Sequence, residues 1–151
     1  RVARIGQATG MEVVAWSQNL TDEKAAEHGV RRVEKNELLA TSKIISLHPV
    51  LSDRTRGLIG PTEFSLMRRD SVLVNTSRAG LIDETALIEA LDSGRPSHAA
   101  LDVFTIEPLP KDHPILGHPA ATLTPHLGFV STRVYEMFYK TIVNDLSKWV
   151  E

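Results

Sequence analysis

Arg78, Glu107 and His126 are the side chains whose types and positions could do chemistry. Arg78 follows the apolar run Val72-Leu73-Val74 and the turn-forming Asn75-Thr76-Ser77. A buried strand ending there sets the guanidinium just past its carboxyl end, facing the crevice where open α/β sheets bind ligands. Glu107 lies a few residues beyond the strand-like run 99–103, and His126 follows the run 121–124 and Pro125. A guanidinium grips a carboxylate through two parallel hydrogen bonds and reaches a carbonyl beside it. An imidazole gives or takes a proton near neutral pH. A carboxylate bonded to that imidazole favours its charged form and fixes its orientation. Together the three suit reduction of a 2-oxo acid, with Arg78 anchoring and polarising the substrate and protonated His126 supplying the proton. No side chain provides a hydride, so a cofactor must. Taken alone, Arg78 reads as a solvated loop cation. The case for a site is that three separate strand ends converge.

That convergence needs parallel strands, and the chain alternates apolar runs with helical patterns. Residues 12–16, 30–33, 43–48, 71–75, 99–103 and 121–124 read as strands. A helix ends at Gly10. Thr21 opens a short helix with Asp22 and Glu23 in its first turn, and Gly29 stops it. Residues 35–40 form a helical turn or two, and Pro61 starts a helix over 62–67. Asp83 caps a helix over 84–91, and Gly94 ends it. Residues 131–150 read as a long last helix, with Val134, Phe138, Ile142, Leu146 and Val150 near helical spacing. Strand runs apolar on both faces suit a parallel sheet covered by helices. The alternation predicts a doubly wound α/β fold. Residues 105–119 hold four prolines and read as an ordered loop over one end of the sheet.

Composition narrows the function classes. The chain has 151 residues, 42% apolar and 24% charged, which suits one soluble globular domain. A net charge of -2 gives no footprint for nucleic acid or an anionic membrane. With no cysteine, thiol catalysis, disulfides and cysteine–zinc sites are excluded, and the absence accords with a cytoplasmic setting. No apolar run reaches the roughly 18 residues of a membrane span.

Three stretches together resemble the D-isomer-specific 2-hydroxyacid dehydrogenase family. They are Val74-Asn75-Thr76-Ser77-Arg78-Ala79-Gly80 with Asp83, Ala99-Ala100-Leu101-Asp102-Val103-Phe104 with Glu107-Pro108-Leu109-Pro110, and Thr124-Pro125-His126-Leu127-Gly128. The resemblance implies a Rossmann fold, NAD or NADP as cofactor, a small 2-oxo acid as substrate and a homodimer in the complete protein. It implies that Arg78 binds substrate and that Glu107 and His126 form the proton-transfer pair. It also implies cofactor contacts from Ser17, His48, Pro49, Thr76, Ser77, Arg78, Asp102, His126 and Gly128, with Asp102 meeting the nicotinamide carboxamide.

The sequence departs from the family in two places. The glycine-rich phosphate loop and the strand before it should precede Val2, and the residues that follow resemble only the helix after that loop. The expectation is therefore that residues 1–151 are an incomplete dinucleotide-binding domain cut from a longer protein, with the substrate domain outside it. The strands at 12–16 and 43–48 would then lose a shared neighbour, and this chain alone would bind dinucleotide poorly. The second departure is Ser17. An acid there would hold the adenosine ribose diol and repel a 2′-phosphate. Ser17 removes that repulsion, no Arg directly follows it, and Arg31 and Arg32 stand as substitutes, so NAD and NADP both remain open.

Several candidates carry two readings. Asp102 is a cofactor contact or a strand-end acid satisfied by backbone N–H groups. His48 touches the cofactor or caps its strand. His113 and His118 lack the spacing and the third ligand of a zinc set, so no metal site is expected. For the chain as a whole, the alternatives to an enzyme are a non-catalytic nucleotide-sensing or interaction module, or an inactive gene fragment.

Overall fold

The computed structural model describes residues 1–150. The elements run α1 (Val2–Ala8), β1 (Val14–Ala15), α2 (Asp22–Ala26), β2 (Arg31–Arg32), α3 (Lys35–Thr41), β3 (Ile44–Leu47), α4 (Pro61–Leu66), β4 (Val72–Asn75), α5 (Glu84–Asp92), β5 (His98–Leu101), β6 (Ala121–Leu123) and α6 (Thr132–Val150). All strands are parallel, as the alternating pattern requires. The expected sheet is divided, however. Four strands form one sheet in the order β3-β4-β5-β6, and β1 and β2 form a separate pair. No hydrogen bonds join β1 to β3, the two strands expected to lose a neighbour.

Local chemistry sets the boundaries. The Asp83 carboxylate accepts the Ala86 N–H at 3.1 Å and starts α5, and Gly94 (φ +70°) follows its end in the left-handed conformation that glycine adopts without steric cost. Thr21 caps α2 through the Lys24 N–H at 3.3 Å. The Glu63 carboxylate accepts the Gly60 N–H at 3.0 Å at the start of α4 and pairs with Lys35 at 2.7 Å. The Lys35 ammonium also lies 6.0 Å from the Trp16 ring centre, linking the end of β1 to α4.

The core gathers around the four-stranded sheet. Leu73 of β4 and Ala99 of β5 are fully buried, with Leu39, Phe64, Leu87 and Leu91 packed on them from the helices. The register is what matters for the site. Leu47, Asn75, Leu101 and Leu123, the last residues of the four strands, stand side by side. Everything following them emerges at one edge.

Some expected strands are shorter. Residues 12–16 reduce to Val14–Ala15 and 30–33 to Arg31–Arg32, because this pair has no further strand on either side to extend the ladder. β5 ends at Leu101, so Asp102 and Val103 lie beyond the strand. Residues 79–81 form a short 3-10 turn that the sequence pattern did not signal. α6 has the expected length and buries none of its residues; Phe138, Ile142, Leu146 and Trp149 are all exposed.

Leu73 is enclosed on both sides by neighbouring strands, so Leu73→Ala leaves a cavity that the sheet cannot collapse to fill. Its expected cost is about 2–5 kcal/mol in urea unfolding of the protein. A loss well below 1 kcal/mol would contradict the central placement of β4.

Candidate active site

The turn after β4 is built by one buried amide. Asn75, 1% exposed, accepts the Ser77 N–H on Oδ1 at 3.0 Å and donates from Nδ2 to the Arg78 carbonyl at 3.0 Å. A buried amide satisfied in this way fixes the loop it spans. Ser77 Oγ donates to the Pro49 carbonyl at 3.0 Å, tying this turn to the one after β3. Arg78 therefore starts from a fixed backbone. Its Nη1 donates to the Ser77 carbonyl at 2.6 Å, the side chain is exposed, and no carboxylate pairs with it among the described residues. Sequence reasoning included Asn75 in its motif and gave it no role. The available signal was a lone amide at the end of an otherwise apolar strand.

Glu107 and His126 meet directly. His126 Nδ1 and Glu107 Oε2 are 2.7 Å apart, and Glu107 Oε1 accepts the Phe104 N–H at 2.9 Å. With a carboxylate as partner, Nδ1 carries the proton, and Nε2 has no protein partner among the described residues. The Phe129 ring stands edge-on to the imidazole at 5.7 Å. The bond to His126, then that from Phe104, hold the exposed Glu107 carboxyl below its ordinary value, against slight desolvation and the charge of nearby Asp102.

Asp102 lies beneath this pair, 4% exposed. Oδ1 accepts the Thr124 hydroxyl and the Leu127 N–H (2.8 Å), and Oδ2 accepts the Gly128 N–H (2.7 Å). Burial alone would push this carboxyl up; the hydrogen bonds from Thr124, Leu127 and Gly128, with His126 nearby, outweigh it and hold the group below its ordinary value. These contacts enclose His126, whose φ of +54° is the left-handed conformation that non-glycine residues adopt at a cost of order 1–3 kcal/mol. Gly128 fits because a Cβ there would lie 3.0 Å from Asp102 Oδ2. The backbone-satisfied reading of Asp102 thus describes its contacts. A carboxylate offers about four acceptor positions, so three donors leave one for a ligand.

The remaining residues divide. Thr76 is exposed on the Arg78 turn, and Pro49 supplies the carbonyl that holds Ser77. His48 Nε2 bonds Ser46 Oγ at 2.9 Å, as a strand cap would. Ser17 is exposed beyond β1, on the separate two-stranded sheet. Arg31 pairs with Glu37 at 2.9 Å; Arg32 binds Glu34 at 2.8 Å and the Leu20 carbonyl at 2.9 Å. Both candidate phosphate ligands therefore have acidic partners already. The edge beyond β3–β6 carries an exposed cation, an imidazole nitrogen without a protein partner among the described residues and a remaining acceptor position on Asp102.

Comparisons with known proteins place the chain in a family. Residues 1–128 match the model of the D-isomer specific 2-hydroxyacid dehydrogenase, NAD binding domain. A glyoxylate reductase of Aeropyrum pernix is 42% identical over 126 residues, 83% of this chain and 38% of that protein. A phosphoglycerate oxidoreductase of Vibrio cholerae superposes with a TM-score of 0.90 at 34% identity, covering 99% of this chain and 48% of its own. The NAD-complexed D-isomer specific 2-hydroxyacid dehydrogenase of Lactobacillus delbrueckii superposes at 0.80 with 28% identity, covering 97% and 48%. The chain spans less than half the length of each of these proteins. With a family match over residues 1–128, the chain belongs to the D-isomer specific 2-hydroxyacid dehydrogenases and corresponds to their NAD-binding domain.

Proposed function

We propose that the complete protein reduces a small 2-oxo acid, such as glyoxylate or hydroxypyruvate, to the D-2-hydroxy acid with NADH or NADPH, and runs the reverse oxidation. The observation that carries this reading is the 2.7 Å Glu107–His126 pair, which emerges with Arg78 at one edge of a parallel sheet. The reduced nicotinamide, when bound, supplies the hydride. Arg78 draws the substrate carboxylate and carbonyl into place through its two-pronged donor set. His126, oriented by Glu107, passes a proton from Nε2 to the carbonyl oxygen as the carbonyl carbon is reduced. In oxidation the neutral imidazole takes that proton back. Asp102 keeps the His126 turn in place, and Thr76, Ser77, Gly128 and the segment His48-Pro49 border the cofactor. Ser17 faces the adenosine ribose.

In the complete protein, assayed by loss of reduced-nicotinamide absorbance over a panel of 2-oxo acids, His126→Asn is expected to cut kcat about 10²–10⁴-fold, the usual worth of a positioned general acid. Arg78→Ala should raise KM and lower kcat together, and Glu107→Gln should lower kcat. Unchanged turnover in His126→Asn would remove the proton-donor role.

The pH dependence has a definite sign. Glu107 is held low by His126, so its carboxylate persists as pH falls through the ordinary glutamate range near about 4.3 and is lost only below it. The acid limb of kcat/KM is expected below that range in the wild type and absent in Glu107→Gln. A wild-type limb at or above it would contradict the pairing.

At the adenosine end, Ser17→Asp should raise the ratio of NADH to NADPH preference by about tenfold, which corresponds to ~1.4 kcal/mol. Equal KM ratios before and after the change would place Ser17 away from the ribose.

A further inference from the structure

The proline-rich segment that carries Glu107 is fastened to α5 by two imidazole–carboxylate clips. His113 Nδ1 accepts the Ile115 N–H at 3.3 Å, which puts the ring proton on Nε2, and Nε2 lies 2.7 Å from Glu84 Oε1. The same turn recurs at His118. Its Nδ1 accepts the Ala120 N–H at 3.1 Å, and its Nε2 lies 3.2 Å from Asp92 Oδ1. In both turns a proline, Pro114 or Pro119, follows the histidine and restricts the backbone. Glu84 does more than close one clip. Its second oxygen accepts the Thr105 hydroxyl at 3.1 Å. One carboxylate at the start of α5 therefore holds the chain on both sides of Glu107.

Apolar packing anchors Phe104 and Leu109 on either side of the stretch, but none of it reaches the residues between them. Val103 and Ile115 are buried, while residues 105–108 are exposed. Between those anchors the polar contacts of the segment are the Phe104 N–H to Glu107 and the grip of Glu84 on Thr105 and His113. We propose that Glu84 is a positioning residue for the Glu107–His126 pair, fixing Thr105 and His113 so that the Glu107 carboxylate stays in line with the imidazole. Asp83, not Glu84, caps the helix, so holding α5 together does not account for the contacts of Glu84. The kinetic form of this inference rests on the proposed reductase activity; the geometric form does not.

The test uses the complete protein, with Glu84→Ala and Thr105→Val studied alone and combined with Glu107→Gln. Thr105→Val deletes one hydroxyl hydrogen bond at nearly constant shape and decides the question if Glu84→Ala does not fold. In 2-oxo acid reduction, Glu84→Ala is expected to lower kcat roughly ten- to hundredfold, with KM changed by less than about twofold. Thr105→Val should lower kcat by less, and both should move the acid limb to higher pH. Neither should cost much more in the Glu107→Gln background, because the group being positioned is already altered. Equal losses in both backgrounds, or reduced thermal stability with kcat and the acid limb unmoved, would overturn the proposal. If the complete protein reduces no 2-oxo acid, the functional reading fails, and ¹³C NMR titration of the Glu107 carboxyl still decides this one. Its midpoint should rise in Glu84→Ala and in Thr105→Val, and an unmoved midpoint would overturn the proposal.

Discussion

A carboxylate taken out of water must be given donors, and the site depends on how Asp102 meets that demand. The side chain is nearly fully buried one residue past the end of β5. Left unpaired it would cost several kcal/mol or take up a proton. Its donors come from Thr124, Leu127 and Gly128, so the chain after β6 folds around it. His126 is the residue at the crest of that fold. The charge that stabilises the turn thereby sets the direction of the imidazole.

The same principle recurs at the neighbouring strand. β4 is apolar until its last residue, where Asn75 bonds to both ends of the turn that leads into Arg78. Two buried polar groups, at Asn75 and Asp102, shape two adjacent loops. The Asp102 N–H donates to the Asn75 carbonyl at 3.0 Å, so the two are joined through the backbone. Because the strand ends are aligned across the sheet, these loops share one edge. Sheet register, backbone satisfaction and the placement of charged groups are thus one construction.

Much of this was legible in the residues. Apolar runs between helical patterns located every strand, and Asp83, Thr21 and Gly94 marked helix boundaries through their local chemistry. The Glu107–His126 pair was legible because each residue follows its own strand end. Other features were not. The shortening at residues 12–16 reflects strand pairing, a long-range property that no local pattern carries. The donors of Asp102 were not legible, because the N–H groups that surround it are brought there by the turn after β6. Arg31 and Arg32 passed for free cations because their acidic partners Glu37 and Glu34 are chosen by the tertiary fold. At His113 and His118 the legible signal was a histidine followed by proline twice within seven residues, a sign of repeated turn chemistry rather than of metal ligands.

The left-handed backbone at His126 restricts what the gene can become. Position 126 answers to two demands, one from the imidazole's task and one from the turn, and they admit different residues. Asparagine and glycine satisfy the turn without the ring, whereas valine and isoleucine satisfy neither. A descendant of this domain that gave up catalysis would still need the turn around Asp102 to bury that charge. Its drift at this position would run toward asparagine or glycine, leaving a silent copy whose backbone is indistinguishable from that of a working one.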